Sequence, residues 1–547
     1  MMLLLCHAPG ATKVAAAQSS GAEAMQLRIS ALAEDPRVAG EAVADRWFLA
    51  RFYERREFSP AWGTPAKLAA LLEAVADSGR HGLAPADYHY PTLSELIAAT
   101  RAEPSPDLAM ELDILATDAL ARLAFHLRFG KVNPVQVEPT WNFSRSIAGI
   151  NPVAAIQGLV DADELGVALD ALTADSDYYR GLMATLAEYR GIAGRGGWPA
   201  IVPEETLRIG SSSASVSALR ARLAVTGDLD AEAAVGDEQV FGAALEDAVR
   251  RFQSRHGLDS DGAVGRRTLA ALNVPVEARI GQLRANMERA RWVFRDLEER
   301  YLLVNIARFQ VMLVVGRQVT WSARAVVGRP YRQTPVFKAR MRYLEFNPTW
   351  TVPPTILTRD LLPEIRFNPA ALGDKGMIVL DHLGQQVDAA SIDWATIPAR
   401  GFPYMIRQEP GPGNALGRVK FMFPNPHHIY IHDTPSRELF GRAERAFSSG
   451  CIRLERPFEL VNILLAGTRW DEPAIERVLA SGRTRVVHLP EPVTVLILYG
   501  TAVPEGGRIH FLPDVYQRDQ RLLTALDAPF IFSPPAGYEE SLRQEAH

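Results

Sequence analysis

Cysteine is nearly absent from this chain, and its scarcity is the most informative feature of the sequence. Among 547 residues there are two cysteines, Cys6 and Cys451. Cys6 lies in an apolar N-terminal segment with the pattern of a removable leader, so the mature chain would keep one thiol without an internal disulfide partner. A lone thiol among small residues, with a histidine upstream, is what nucleophilic catalysis requires. Cys451 is therefore a candidate nucleophile.

An excess of charge and long apolar runs are also lacking. The formal net charge is −5, from 59 basic and 64 acidic residues, which is too balanced to favour nucleic acid as a partner. No run of about 18 apolar residues occurs beyond the N-terminus, so no transmembrane span is expected in the mature chain. A chain of this length is too long for one compact domain, and about two to four domains are expected.

The first residues predict export. Residues 1–17 open on an apolar run and close on three alanines, and this Ala-x-Ala pattern fits cleavage by signal peptidase after Ala17. A basic beginning is missing, so we expect the true start of this signal peptide to lie upstream. A disordered cytosolic N-terminus is the alternative interpretation.

Residues 25–205 predict a helical scaffold domain. Apolar side chains recur there at spacings of three and four, and Phe48 and Phe52 can share one helix face. We find no catalytic constellation in this region. Glycine, proline and serine mark residues 196–215, which we interpret as a linker.

Residues 215–275 predict a small module of short helices. Phe252 to Leu258 (FQSRHGL), Asp261 to Gly265 (DGAVG) and Thr268 to Leu272 (TLAAL) place two glycine-containing turns between helical segments. This pattern resembles the three-helix peptidoglycan-binding domain, and the resemblance implies glycan as a partner. A spacer without binding activity is the alternative.

Residues 300–525 change to the alternating pattern of strands. Strands are predicted at Tyr301–Ile306, Gln310–Val315, Val319–Val327, Arg418–Phe423, Ile429–His432 and Val493–Tyr499. Residues 355–400 interrupt them with a helical stretch, which we interpret as an inserted cap able to cover a site. The predicted fold class is multidomain α+β, with a helical scaffold, a three-helix module and a mostly β catalytic domain.

Two short motifs in this last region carry the strongest resemblance to a known family. They are His432-Asp433-Thr434-Pro435 and Ser448-Ser449-Gly450-Cys451-Ile452-Arg453. Together they resemble the L,D-transpeptidase family of bacterial cell-wall enzymes, and the domain order resembles its large periplasmic branch. Many relatives have histidine where this chain has Ser449, so no role of that histidine is carried over. Several relatives have asparagine at the position of Arg453.

Thiol chemistry requires a group that takes the proton of Cys451, because a free thiol has a pKa near ~8.5. His432 is the candidate, and the predicted strand places His428 and Tyr430 on the same face. The resemblance implies that a backbone carbonyl orients the imidazole. The alternative is a triad in which the Asp433 carboxylate does so, and Asp433 is a candidate catalytic residue on that ground.

Gly450 is a candidate catalytic residue because glycine permits unusual dihedral angles and close backbone approach. The amides of Gly450 and Cys451 could then face a developing oxyanion. An ordinary turn glycine is the alternative.

Four further residues are candidates for substrate binding. Arg453 could hold a substrate carboxylate with its donor fork, or form a surface ion pair instead. Tyr430 and Trp350 could line the cleft, or be buried structural aromatics. Ser449, beside the glycine, completes this set.

The resemblance implies a periplasmic enzyme that needs no cofactor and no metal. Its substrates would be peptidoglycan stem peptides, joined by 3→3 cross-links, and carbapenems would acylate Cys451. A cysteine peptidase of the L,D-carboxypeptidase type differs only in using water as the acceptor. A wall-binding scaffold without activity is less well supported, because His432, Gly450 and Cys451 are intact. The sequence contains neither an HExxH motif nor paired CxxC motifs, so a metal hydrolase is not supported.

Overall fold

The computed structural model describes residues 21–147, 149–230, 239–295 and 297–543. The predicted signal peptide, with Cys6, lies outside the described residues. Helices dominate the first half of the chain, and a large sheet forms the catalytic region, so the predicted multidomain α+β fold class is confirmed. No helix in the described ranges has both the length and the apolar character needed to cross a bilayer.

The scaffold domain is built mainly from helices that bury one apolar face. Asp45 begins one of them by accepting hydrogen bonds from the backbone of Trp47 and Phe48, and Phe48 and Phe52 of this helix are both buried. Helical segments occupy 21–31, Arg46–Arg55, Pro65–Asp77, Ser78–His81, Pro85–Tyr88, Tyr90–Ala102, Pro106–Phe129, Pro134–Val137, Pro152–Val160, Leu165–Asp170 and Asp177–Gly194. A short hairpin of β1 (Arg37–Val38) and β2 (Glu41–Ala42), which the sequence did not predict, joins them.

The C-terminal segment returns to the scaffold. Its helices are Arg518–Asp527 and Tyr538–Arg543, and a further helix, Val276–Val293, precedes the catalytic domain. Leu522 and Leu526 are buried in the scaffold core, and the Tyr538 hydroxyl donates to Asp45 Oδ2 at 2.8 Å. The predicted domain end at residue 525 therefore falls inside a helix that packs on the scaffold.

In the described residues 214–230 and 239–275, the module contains the three helices that its pattern predicts: Ala214–Val225, Ala243–Arg255 and Arg266–Leu272. Gln253 holds the turn between the last two, because its side chain accepts from Gly262 N at 2.9 Å and donates to Ala263 O at 2.9 Å. Arg255 forms a buried ion pair with Asp228. The same side chain donates to Ile509 O at 3.3 Å, so the module is attached to the hairpin that follows the catalytic sheet.

The catalytic domain is built on a nine-stranded sheet. Its strands are β3 (Arg300–Asn305), β4 (Gln310–Val315), β5 (Gln318–Gly328), β6 (Phe337–Phe346), β11 (Val419–Met422), β12 (Ile431–His432), β13 (Ala446–Ser448), β14 (Ile452–Leu454) and β15 (Arg485–Leu498). They lie in the order β13-β5-β14-β12-β11-β6-β15-β3-β4. Because β4 also pairs with β5, the sheet closes into a barrel around one apolar core. All six predicted strand segments are confirmed, although β12 is shorter than predicted and β15 is longer.

Three short helices accompany the sheet, at Arg437–Gly441, Pro457–Leu464 and Glu472–Ala480. A hairpin of β16 (Ala502–Glu505) and β17 (Arg508–Phe511) then leads back to the scaffold.

The cap is inserted between β6 and β11 and has its own sheet and core. Its strands are β7 (Trp350–Thr351), β8 (Met377–Leu380), β9 (Gln386–Val387) and β10 (Met405–Gln408), in the order β7-β10-β8-β9. Its helical segments are Pro354–Ile356, a π-helical turn Leu357–Leu361, Leu362–Phe367, Ala371–Asp374 and Ala389–Ser391. Val352 and Ile406 belong to its core, so the insertion is wider at both ends than residues 355–400.

Candidate active site

The candidate site lies where β12 and β14 run side by side. These strands are parallel, with Ile431 opposite Ile452 and His432 opposite Arg453. Both isoleucines are fully buried in the barrel core. Because side chains alternate along a strand, Cys451, Arg453, Tyr430 and His432 all project from the other face. Two segments that are distant in sequence thus bring the predicted thiol, imidazole, phenol and guanidinium together.

His432 is held in one orientation by a backbone carbonyl. Its ring is buried, and Nδ1 lies 2.5 Å from Asp433 O. A carbonyl oxygen can only accept, so Nδ1 carries the proton, and Nε2 is the nitrogen of the neutral ring that can accept one. Burial, with the charges of Arg453 and Lys420, lowers the pKa of His432 to about 3, and the hydrogen bond to Asp433 O opposes this shift. The resting imidazole is therefore a neutral base.

The Asp433 carboxylate does not form the triad that was considered as an alternative. Its Oδ2 accepts from Arg418 N at 2.8 Å, and its Oδ1 pairs with Arg437. Gly417 packs so closely that a Cβ there would lie 2.4 Å from this carboxylate. Asp433 contributes its backbone carbonyl to His432, while its buried charge ties two loops together.

Gly450 occupies a backbone conformation that excludes other residues. Its φ is +120°, and a Cβ would lie 3.2 Å from Ile429 Cδ1. The Thr334 side chain is fully buried, and its Oγ1 donates to Gly450 O at 2.8 Å, which holds the turn in place. The Gly450 amide donates to Ser448 Oγ at 3.1 Å. This amide is therefore not aimed at a ligand, and the prediction that it faces the oxyanion is wrong for this state.

Cys451 is a partly buried thiol at the edge of the barrel core. Its Sγ–H points to His428 O at 3.8 Å. Burial raises the pKa of the Cys451 thiol, while hydrogen bonds from Tyr430 and the charges of Lys420 and Arg453 act in the opposite direction. His428 does not lie on the strand as predicted, because its φ of +54° places it in the preceding turn.

The aromatic ring of Tyr430 lies beside the thiol. Its ring meets that of His432 edge-on at 5.6 Å between centroids. Burial and a negative charge on Cys451 raise the pKa of Tyr430, while a hydrogen bond with Trp350 lowers it. Trp350 lies on β7, at the base of the cap, so the two predicted aromatics do meet near the site.

The cleft between cap and barrel has a volume of about 440 Å³. Arg453 lines it, and the Nε of this side chain is buried without a hydrogen-bond partner. No ion pair of Arg453 occurs in the described part of the chain, so the surface ion pair that was considered is not seen. The other lining residues come from both walls: Trp350, Ile356, Asp360, Leu361, Glu364, Asp374, Lys375, Met377, Gln408, Gly413, Ala415, Thr434, Pro435 and Ser436.

Two charged residues at the site were not found from the sequence. Lys420 on β11 lies opposite His432, and its Nζ is 4.2 Å from the centroid of the Tyr430 ring. Arg332, in the loop between β5 and β6, donates to Ser449 Oγ at 3.0 Å. The positions of both residues relative to the motifs are determined only when the strands pair in the folded sheet. In the described ranges, no cluster of three or more histidine, cysteine or acidic side chains is arranged for a metal ion.

Family models match three parts of the chain. Residues 299–479 match the L,D-transpeptidase catalytic domain, residues 212–272 match a "Putative peptidoglycan binding domain", and residues 48–186 match a scaffold domain. The resemblance seen in the two motifs is thereby confirmed, and the transpeptidase domain contains both of them.

Individual proteins similar to this chain were also found. A Haemophilus influenzae protein described as "Putative L,D-transpeptidase" is 38% identical over 221 residues, which is 40% of this chain and 45% of that protein. The match thus spans less than half of the relative. The L,D-transpeptidase structure from Xylanimonas cellulosilytica is 17% identical, with a TM-score of 0.19, and covers 54% of this chain and 99% of its own. The Ldtfm–avibactam carbamoyl enzyme is 13% identical, with a TM-score of 0.18, over 58% and 98%.

Proposed function

We propose that this protein is an L,D-transpeptidase that forms 3→3 peptidoglycan cross-links with Cys451 as its nucleophile. The observation that carries the proposal is the placement of Cys451 and His432 on one face of two paired strands. The thiol loses its proton to His432 Nε2, and Sγ attacks the carbonyl of the diamino acid at position three of a donor tetrapeptide. The terminal D-alanine leaves with that proton, and a thioester remains.

The second half-reaction transfers the acyl group. The side-chain amine of an acceptor diamino acid attacks the thioester, and His432 takes a proton from this amine and passes it to the leaving Sγ, which releases the Cys451 thiol. No cofactor enters this sequence. An acceptor water would give L,D-carboxypeptidase activity by the same steps, so the cleft must exclude water for transpeptidation to dominate.

Charges around the pair favour attack after the substrate has bound. Lys420 and Arg453 favour the thiolate but oppose an imidazolium at His432. We propose that a substrate carboxylate binds the guanidinium of Arg453, which lines the cleft. Its negative charge would offset the guanidinium and raise the pKa of His432, which makes the proton transfer easier. Of the two backbone amides considered for the oxyanion, the Cys451 amide is the one we propose, because Ser448 occupies the other.

The remaining assignments follow from the domain content. We propose that the exported protein acts in the periplasm, that its module contacts glycan strands, and that carbapenems acylate Cys451. These proposals are supported by the matches to the peptidoglycan-binding and transpeptidase domains.

The deciding experiment uses the purified protein, defined tetrapeptide muropeptides and mass spectrometry of the products. Wild type should yield 3→3 dimers and a covalent adduct on the Cys451 peptide, and Cys451→Ala should yield neither. Release of D-alanine without dimers would assign the carboxypeptidase reaction instead. Cross-linking that persists in Cys451→Ala would contradict the proposed mechanism.

A further inference from the structure

One arginine connects the cap directly to the turn that carries the nucleophile. The Arg332 guanidinium holds the Asp360 carboxylate with both outer nitrogens, and the Nη2 contact with Oδ1 measures 3.0 Å. Its Nη1, which also contacts Asp360 Oδ2, donates to Ser449 Oγ at 3.0 Å. Asp360 belongs to the π-helical turn of the cap, and Ser449 is the second residue before Cys451. The cap and the nucleophile turn therefore share one side chain.

The loop that carries Arg332 is fixed to the nucleophile turn, whereas the orientation of the Arg332 guanidinium depends on the cap. Its loop is anchored to the turn by Arg329 N, which donates to Ser448 O at 3.0 Å, and by the buried Thr334, which donates to Gly450 O. The Arg332 side chain is 10% exposed, whereas that of Asp360 is 43% exposed. A two-pronged contact with a carboxylate fixes the plane of a guanidinium. The direction of the bond to Ser449 is thus set from the cap.

We propose that Arg332 is a positioning residue that makes the placement of the nucleophile turn depend on closure of the cap. With the cap closed, Asp360 orients the guanidinium, and the guanidinium orients Ser449 beside Gly450 and Cys451. When the cap moves away, the carboxylate leaves with it and Ser449 loses its fixed donor. The thiol is then correctly placed only when the cap covers the cleft. This inference rests on the proposed role of Cys451 as nucleophile.

A double-mutant cycle tests the link, because Asp360 and Ser449 act through the same side chain. Asp360→Asn removes the charge at the cap end, and Ser449→Ala removes the acceptor at the turn end. Each should slow single-turnover acylation of Cys451 by a donor tetrapeptide about tenfold, as expected for the loss of a charge-assisted hydrogen bond. The double variant should also be about tenfold slower, because the second change breaks a relay that is already broken.

The matched control is Arg407→Gln, which removes an exposed ion pair with Glu409 inside the cap. It should change the acylation rate less than twofold. A purely structural contribution of Asp360 and Ser449 would give independent losses that multiply to about 100-fold in the double variant. That result, or wild-type acylation in Asp360→Asn, would overturn the proposal.

Alkylation of Cys451 by iodoacetamide repeats the cycle without any substrate. The two single variants and the double variant should share one altered rate, whereas Arg407→Gln should keep the wild-type rate. This arm reports on the thiol even if the protein fails to acylate with a tetrapeptide. A failed tetrapeptide reaction with a non-additive alkylation cycle would contradict the proposed function and support the link. An additive alkylation cycle would contradict the link alone.

Discussion

The ammonium of Lys420 lies 4.2 Å from the ring centroid of Tyr430, in a cation–π contact beside Cys451. Lys420 also stands opposite His432 across β11 and β12, and His432 stands opposite Arg453 across β12 and β14. Two cations thus flank the imidazole in one row across three strands. The row favours a thiolate at Cys451 and a neutral ring at His432, whereas burial is the larger influence on both groups and raises the pKa of the thiol.

Replacing Lys420 with methionine should raise the pKa of Cys451. The cation favours the thiolate, so its removal shifts the thiol pKa upward, by about one unit for a partly exposed charge. Methionine keeps an apolar side chain against the Tyr430 ring. The measurement is the pH dependence of Cys451 alkylation by iodoacetamide, whose inflection should move to higher pH. Lys338→Met, on β6 of the same sheet, is the control. An unchanged inflection in Lys420→Met would show that the charge does not act on the thiol.

Asp433→Asn should destabilise the protein more than it slows the reaction. The buried carboxylate is bound to Arg418 N and Arg437, not to His432, and the Asp433 carbonyl that orients the imidazole is kept. Weakening such a contact costs about 1–3 kcal/mol of unfolding free energy. The rate of cross-linking, measured well below the unfolding transition, should fall less than about tenfold.

A triad aspartate behaves differently, because its replacement by asparagine lowers the rate by about 10⁴. The exposed Glu459→Gln is the control for a change of carboxylate to amide. A loss of several thousandfold in folded Asp433→Asn would restore the triad interpretation.

The strands and the two motifs could be predicted from the sequence because alternation and local spacing determine them. The predicted strand over Gln310–Val315 agrees with β4 in both of its bounds. His428 was placed on a strand because the residues after it alternate, but a positive φ at this residue ends the pattern. A single sequence carries no signal for such a turn when the residue is histidine instead of glycine.

The partners of the site residues could not be predicted, because they depend on register between distant strands. Lys420 reaches His432 only through the pairing of β11 with β12. The sequence left open whether a backbone carbonyl or the Asp433 carboxylate orients the imidazole, and the bonds of this carboxylate to Arg418 N and Arg437 exclude it from that role. The length of the cap was underestimated for a different reason, because its two-residue strand β7 is too short to show a periodic pattern.

Stability should fall as the pH drops below about 6.5, because several histidines are buried as neutral rings. For His126, burial is the largest cause that lowers its pKa well below the usual value, and Lys131 and Arg291 add to it. The unfolded chain binds protons at these histidines below pH ~6.5 while the folded chain does not, so unfolding is favoured there. Urea unfolding at pH 7 and pH 5 should show the loss.

The variant His126→Phe tests one of these rings. Its Nε2 has no hydrogen-bond partner, and it packs 4.3 Å from Phe530 between centroids, so phenylalanine fits the surroundings. The variant loses the bond to the Tyr88 hydroxyl at any pH, but the difference in stability between pH 7 and pH 5 should shrink by about 2 kcal/mol. The exposed His382→Gln should leave that difference unchanged. An equal difference in His126→Phe and wild type would mean that this ring is not the source of the loss.

Gly450→Ala should leave a folded protein with a misplaced nucleophile. A φ of +120° is strained for any residue with a Cβ, by about 1–3 kcal/mol, and the new methyl group would meet Ile429 at 3.2 Å. The turn must shift to relieve this, and Cys451 shifts with it. Acylation should fall by 10²-fold or more, on the order expected for loss of oxyanion alignment, while the melting temperature falls only slightly. Gly441→Ala, in the same segment but with open space around its Cβ position, should match wild type in both. If Gly450→Ala acylated at the wild-type rate, the glycine would be an ordinary turn residue, as the sequence also allowed.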